Sequence, residues 1–210
     1  MPERVVVLDL DDTVYAEADY VDSGKQAVRA LVLDLYGLDV LSELDDRDFL
    51  GAIAQRLRLP EEVKTSLLWA YRLHSPRISL RPGADALLAR VRKHGDRICL
   101  ITDGRSVTQR LKIHALGLRV DTILISEELG HEKPSPGSFR RVMAAHPADE
   151  YVYVADNPGK DFVAPSALGW RTIGLRPSEG TVHAARASVQ EPDVWVTTLR
   201  DVEATLYGER

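Results

Sequence analysis

One cysteine in 210 residues, aromatics at 6% and no long apolar run are the shortages that narrow the class of this chain. Cys99 has no second thiol for an internal disulfide, which fits a reducing cytoplasm. Set inside Ile98-Cys99-Leu100-Ile101, it reads as a small core residue rather than a nucleophile. No stretch approaches the roughly 20 apolar residues needed to cross a bilayer. Met-Pro-Glu-Arg runs straight into an apolar segment and leaves no room for a signal peptide. Positive charge is not in excess: 27 Lys and Arg against 32 Asp and Glu give a net charge of −5. That balance argues against a nucleic-acid-binding surface. Internal repeats and low-complexity segments are also missing. The expectation is an ordinary globular chain of the cytoplasm with neither nucleic acid nor membrane as partner; oligomeric state leaves no mark in the sequence.

What is present is a series of apolar runs, each ending in polar residues. Val5-Val6-Val7-Leu8 has the character of a strand buried on both faces, and it leads into Asp9-Leu10-Asp11-Asp12-Thr13. Ile98 to Ile101 leads to Thr102-Asp103-Gly104, and Val152 to Ala155 leads to Asp156-Asn157. Thr122 to Ile125 is a further strand candidate, and Thr172 to Leu175 and Val194 to Val196 add outer ones. Prolines, serine and glycine around Arg176 to Gly180 suggest a surface loop.

Helical spacing falls between these runs. Ala84, Leu87, Leu88 and Val91 recur at i, i+3, i+4 and i+7 after Pro82-Gly83. Val107, Leu111 and Ala115 repeat every fourth residue, with Gly117 as the stop. Phe139, Val142 and Met143 suggest a helix after Pro136. Alternation of strand and helix implies right-handed crossovers and a parallel α/β sheet covered on both sides. Ligands of such sheets bind at the carboxyl ends of the strands, where Asp9, Thr102 and Asp156 all lie.

Residues 16–80 carry no strand signal. Ala27, Val28, Leu31, Val32 and Leu35 form one helical face closed by Gly37; Phe49, Ile53 and Leu57 form a second; Val63, Leu67, Leu68 and Tyr71 form a third. The pattern predicts a helical module at 16–80, inserted into a catalytic core made of 1–15 and 81–210.

Carboxylates crowded at one strand end repel each other unless a cation neutralises them. Asp9 and Asp11 are two apart and share a side on a continuing strand. One can attack phosphorus while the other handles the leaving-group proton. An anion attacking a phosphate needs positive charge nearby, and Mg²⁺ suits oxygen ligands of this kind. Asp156 is the natural further ligand, with Asp161 in support. Lys133 supplies a fixed cation, Thr102 a hydroxyl donor, and the Asp103 and Gly104 amides complete an anion cradle.

These segments resemble the four motifs of the haloacid dehalogenase superfamily, in order. Asp9-Leu10-Asp11-Asp12-Thr13 is similar to its Asp-x-Asp-x-Thr, and Leu100-Ile101-Thr102-Asp103-Gly104 to the second motif. Lys133 in Glu132-Lys133-Pro134 matches the third, and Asp156-Asn157-Pro158-Gly159-Lys160-Asp161 the fourth. The resemblance implies a Rossmann-like three-layer core with a helical cap, as in the phosphatases of subfamily I. It implies that Asp9 becomes an aspartyl phosphate, and that Asp11 donates a proton and later activates water. It also implies Mg²⁺ on the Asp9 carboxylate, the Asp11 carbonyl and Asp156, with Asp161 in support, and a phosphoryl group held by Thr102 and Lys133. The expected substrate is a small phosphorylated metabolite, a sugar phosphate or nucleotide. A haloacid dehalogenase needs no Asp11; a phosphosugar mutase shares all four motifs; a non-enzymatic binding protein would not keep these positions intact.

Other residues have plainer roles. Asp12 is expected as a turn or cap, Thr13 as a loop-ordering residue, and Asp103 as the cap of the following helix. His131 and Lys160 are expected to be solvated, and the three tryptophans to pack. Arg72 and His74 are candidates for specificity groups; Tyr15, Glu17 and Tyr20 are candidates for an entrance.

Overall fold

The computed structural model describes residues 4–39, 48–177 and 188–208. Among them are strands β1 (Arg4–Leu8), β2 (Arg97–Thr102), β3 (Thr122–Ile125), β4 (Glu150–Ala155), β5 (Arg171–Leu175) and β6 (Val194–Val196). They form one sheet in the order β3-β2-β1-β4-β5-β6, with every neighbouring pair parallel. The helices are α1 (Glu17–Tyr36), α2 (Phe49–Arg56), α3 (Val63–Arg72), α4 (Ala84–Lys93), α5 (Ser106–Ala115), α6 (Ser126–Leu129), α7 (Gly137–Ala145), α8 (Val163–Ala167) and α9 (Leu199–Tyr207). The architecture is the α/β, Rossmann-like one expected. Most of the loop expected around Arg176 to Gly180 lies outside the described residues.

Sheet order and register bring the polar strand ends together. Chain order runs outward on one side through β2 and β3, then returns to β4 and runs outward on the other. The strand order therefore reverses between β1 and β4, where open α/β sheets have their binding crevice. Leu8 pairs with Leu100 on β2 and with Val154 on β4. Asp9, Thr102 and Asp156 consequently leave the sheet along one edge.

The sheet is held by apolar side chains alternating between its faces. Val5, Val7, Cys99, Ile101, Tyr153 and Ala155 share a buried cluster with Phe139 and Val142 of α7 and with Trp170. Trp170 stacks on Tyr151 and meets the Phe139 ring edge-on. Burial pushes the Cys99 thiol up to about 11, so it is a protonated core residue at neutral pH. All four apolar residues expected to face inward from α4, Ala84, Leu87, Leu88 and Val91, are buried.

The chain divides into two compact units, Met1–Ala18 with Ser79–Arg210, and Asp19–Ile78. The second is slightly shorter than 16–80 because α1 starts in the first unit and continues unbroken into the second. Val28, Val32, Phe49, Ile53 and Leu67 form the core of this helical unit. A Cβ on Gly24 would lie 2.4 Å from the Tyr71 ring, so only glycine lets α1 and α3 approach so closely. The five-residue face expected on α1 is not buried as a whole: Leu35 is 67% exposed, while Val28 and Val32 are covered. Helices α2 and α3 pack along the narrower stripe through Val28 and Val32. His74 is committed inside the unit. Its ring nitrogens lie 2.6 Å from the Tyr71 carbonyl oxygen and 3.0 Å from Ser23 Oγ, and the ring packs against Tyr20. No described helix is long and apolar enough to cross a membrane.

Candidate active site

Beyond Leu8 the chain adds one more sheet hydrogen bond, from the Asp9 N–H to the Val154 carbonyl at 2.9 Å, and then turns. Asp12 adopts a left-handed conformation, φ 55°, which aspartate tolerates better than most residues. Asp12 Oδ1 accepts the Glu17 N–H at 3.0 Å and lies 3.4 Å from Arg81, so it caps α1 and pins the returning chain. Thr13 is fully buried and donates to Asp156 Oδ1 at 3.4 Å.

The turn opens a cavity of 120 Å³ whose lining includes Asp9, Asp11, Thr102, Asp103, Lys133 and Asp156, with Asp12, Glu17, Asn157 and Lys160. Lys133 is its buried cation. The Nζ atom lies 2.8 Å from Asp9 Oδ1 and 2.7 Å from Asp161 Oδ1, and donates to the Tyr153 hydroxyl at 3.1 Å. Burial pulls the Lys133 pKa down, but the Asp161 and Asp9 charges outweigh it and keep the ammonium protonated well above the ordinary range.

One ammonium does not neutralise three carboxylates. Oxygens of Asp9, Asp156 and Asp161 all lie within 4.8 Å of one another, and all three residues are buried. Burial raises Asp9 to about 7 despite the attraction of Lys133. Burial, then repulsion from Asp9 and Asp161, raises Asp156 to about 8. Asp161 Oδ1, although near Lys133, receives no well-directed hydrogen bond. An under-satisfied buried oxygen in an all-carboxylate set fits a hard divalent cation, and this trio could hold one.

The second strand end is organised differently from expectation. Asp103 does not cap α5: its Oδ1 accepts the Lys133 N–H at 3.1 Å and its Oδ2 pairs with Lys160 Nζ at 2.6 Å. Arg105 takes the N-cap position, and the Ser106 N–H is satisfied by Glu127 Oε2 at 2.7 Å. Two more residues of loop precede the helix, so Asp103 ties three of the motif segments together. The Gly104 N–H donates to Ser126 Oγ at 2.9 Å rather than facing the cavity. Lys160, expected in solvent, is held by Asp103; His131 is taken up locally, with Nδ1 3.0 Å from the Leu129 carbonyl oxygen.

Asp11 stands apart from the acidic trio. Lys112 Nζ reaches its Oδ1 at 2.7 Å, the Tyr15 hydroxyl donates to the same oxygen, and Gln109 Nε2 donates to Oδ2 at 2.8 Å. Burial raises Asp11, but the Lys112 charge and these three hydrogen bonds more than offset it and hold the carboxyl below its usual range. Glu17, also in the lining, is raised by burial and then by the Asp11 charge, to about 7.

Gln109 and Lys112 were not among the residues expected from sequence. The repeat of Val107, Leu111 and Ala115 pointed to the wrong face of α5: Val107 is 56% exposed, and the buried residues are Gln109, Lys112 and Ile113. The available signal was a Gln and a Lys three apart, just after a polar strand end.

With this geometry in view, comparisons with known proteins converge. The haloacid dehalogenase-like hydrolase family matches residues 6–175. A phosphoserine phosphatase of Thermus thermophilus is 33% identical over 165 residues, covering 75% of this chain and 63% of that enzyme, a little under two thirds of its length. A glyceraldehyde 3-phosphate phosphatase of Methanopyrus kandleri is 26% identical over 223 residues, covering 95% of each chain. Among solved structures, the HAD-hydrolase YfnB of Bacillus subtilis bound to magnesium superposes with a TM-score of 0.68 at 15% identity, covering 99% of this chain and 100% of that one. A 2-haloacid dehalogenase of Pseudomonas syringae gives 0.65 at 20% identity, covering 97% and 98%. At such identities these two likenesses speak for the fold alone. The family match spans most of the sequence, including the polar strand ends at Asp9, Thr102 and Asp156, and it settles the assignment: this chain belongs to the haloacid dehalogenase-like hydrolases.

Proposed function

We propose that the chain is a Mg²⁺-dependent phosphomonoester hydrolase acting on a small phosphorylated metabolite through an aspartyl-phosphate intermediate on Asp9. The observation that carries the reading is the buried Asp9, Asp156 and Asp161 trio sharing the single Lys133 ammonium. With all three carboxyls ionised the set carries two negative charges more than Lys133 supplies, the charge a divalent cation would neutralise. Asp9 and Asp156 would hold the ion through carboxylate oxygens and Asp11 through its carbonyl, with Asp161 in support. When bound, Mg²⁺ neutralises charge and polarises phosphoryl oxygens.

The protein's own residues then divide the work. A carboxylate oxygen of Asp9 attacks phosphorus, forming the O–P bond of an aspartyl phosphate, a mixed anhydride, while the bond from phosphorus to the leaving oxygen breaks. Lys133 holds Asp9 in place and, with the Thr102 hydroxyl and the Asp103 amide, stabilises the phosphoryl oxygens. Asp11, ionised in the free protein, would take up a proton when a phosphoryl dianion binds beside it. It would pass that proton to the departing alkoxide, and take one back from the water that releases phosphate. The helical unit Asp19–Ile78 serves as the family's cap and selects among substrates. Relatives named for phosphoserine and glyceraldehyde 3-phosphate favour short phosphorylated carbon chains as substrates, and the lone cysteine favours a cytoplasmic setting.

The retained Asp11 disfavours a dehalogenase, which has no leaving-group proton to supply. A phosphate-release screen over sugar phosphates, nucleotides and phospho-acids, with Mg²⁺ and with EDTA, tests the proposal. Metal-dependent release is expected; full activity in EDTA would overturn it.

A further inference from the structure

We propose that Tyr153 of β4 is a positioning residue whose hydroxyl holds Lys133 Nζ in place throughout the reaction. The inference rests on the hydrolase reading above, in which Lys133 touches the phosphoryl oxygens, and adds a residue that does not touch them.

Tyr153 carries the one polar side-chain group in the run Val152-Tyr153-Val154-Ala155, and it is fully buried. Its side chain belongs to the apolar cluster that joins β1, β2 and β4 to α7. Burying a phenol there is unfavourable unless its hydroxyl finds a partner, and phenylalanine would fill the same space more simply. Among the described residues its one hydrogen-bond partner is Lys133 Nζ, which donates to it at 3.1 Å. The hydroxyl therefore serves the lysine rather than the core.

Core packing decides which partner fixes the other. The Tyr153 ring meets Phe139 edge-on, with centroids 5.0 Å apart and planes at 87°. Its backbone is in register on both sides, opposite Val7 on β1 and Thr172 on β5. Lys133 instead reaches the site from the loop between α6 and α7, on a flexible four-carbon stem. The tyrosine is the anchor and the lysine is what it holds.

The other two contacts of Nζ change during the proposed reaction. Asp9 Oδ1, 2.8 Å away, belongs to the carboxylate that attacks phosphorus and loses its charge in the aspartyl phosphate. Asp161 Oδ1, 2.7 Å away, belongs to the acid that would support the metal. A neutral phenol takes part in neither event, so its hold on Nζ stays the same from substrate to product.

The test is a double-mutant cycle on turnover of p-nitrophenyl phosphate in saturating Mg²⁺. Tyr153→Phe removes one oxygen and keeps the ring. It should lower kcat about 10- to 100-fold, the scale of a misplaced catalytic group. In a Lys133→Met background the same change should cost less than about twofold, because the hydroxyl has nothing left to position. Equal losses in the two backgrounds would overturn the inference, as would an unchanged kcat in Tyr153→Phe. If Lys133→Met gives no measurable turnover, inhibition constants decide, since they do not depend on the folded fraction. Vanadate, which adopts the five-coordinate geometry of the transferring group, should bind Tyr153→Phe about tenfold more weakly, and inorganic phosphate less than about threefold more weakly. Equal shifts for the two inhibitors would overturn the inference. All of these results leave the hydrolase reading intact. Absence of Mg²⁺-dependent turnover by the wild type on any ester would remove that reading, and this inference with it.

Discussion

Lys133 Nζ meets Asp9 Oδ1 at 2.8 Å across 124 residues of sequence, in a site where the lysine side chain is 1% exposed. A buried pair of this kind is far harder to break than to keep, because the partner left behind is an uncompensated charge. Lys133→Met should destabilise the metal-free protein at pH 8 by about 3–5 kcal/mol and lower kcat by about 100- to 1000-fold, the loss seen when one fixed donor to a developing oxyanion is removed. Chemical denaturation and steady-state kinetics on the same preparation check both numbers.

Asp156 should behave in the opposite sense. Its carboxyl is buried beside Asp9 and Asp161, so removing its charge relieves repulsion in the metal-free protein. Asp156→Asn is expected to raise the metal-free melting temperature at pH 8 and to abolish the rise that Mg²⁺ gives the wild type. Thermal melts with and without Mg²⁺ decide this; an unchanged Mg²⁺ response in the variant would move the metal elsewhere.

Asp9 and Asp156 set a pH dependence whose sign follows from linkage. Both carboxyls are raised in the folded state, to about 7 and about 8, above their values in an unfolded chain. The folded protein therefore binds protons more tightly, and this contribution is present at low pH and lost as pH rises through 7 to 8. Metal-free stability should fall from about pH 4 up to about pH 8, between the unfolded and folded carboxyl values. Mg²⁺ competes with those protons, so its stabilising shift should be larger at pH 8.5 than at pH 6. Melts at both pH values, with and without the ion, read the difference.

The two sides of α5 and α7 give a packing control. Phe139 is fully buried between Tyr153 and Trp170, and Phe139→Ala should cost about 3–5 kcal/mol. Val107 is 56% exposed, and Val107→Ser should change stability by less than about 0.5 kcal/mol. Urea unfolding of the two variants checks the contrast.

Strand ends were legible in the sequence because each doubly buried strand is a plain apolar run that stops at a polar cluster. Leu8 to Asp9, Ile101 to Thr102 and Ala155 to Asp156 are such boundaries, and the parallel register then brings them to one edge. The facing of α5 was not legible. Periodicity assigns apolar residues to the inside, whereas this helix turns Gln109 and Lys112 inward to meet Asp11. The role of Asp103 was hidden for a related reason. An acid near a helix start suggests a cap, but here the loop runs on to Arg105 and frees Asp103 for Lys133 and Lys160. On α1, four-residue spacing exaggerated the buried face, since only the stripe through Val28 and Val32 meets α2 and α3. Pairings between segments distant in sequence decide such details, and a single helix pattern does not contain them.

The central claim, that Asp9 is the attacking nucleophile, is tested most directly by turnover of p-nitrophenyl phosphate by Asp9→Asn in saturating Mg²⁺, with the melt recorded alongside. The account predicts a folded protein whose kcat is reduced at least about a thousandfold, as removal of an attacking group does in other hydrolases. A folded variant turning over at close to the wild-type rate would contradict it.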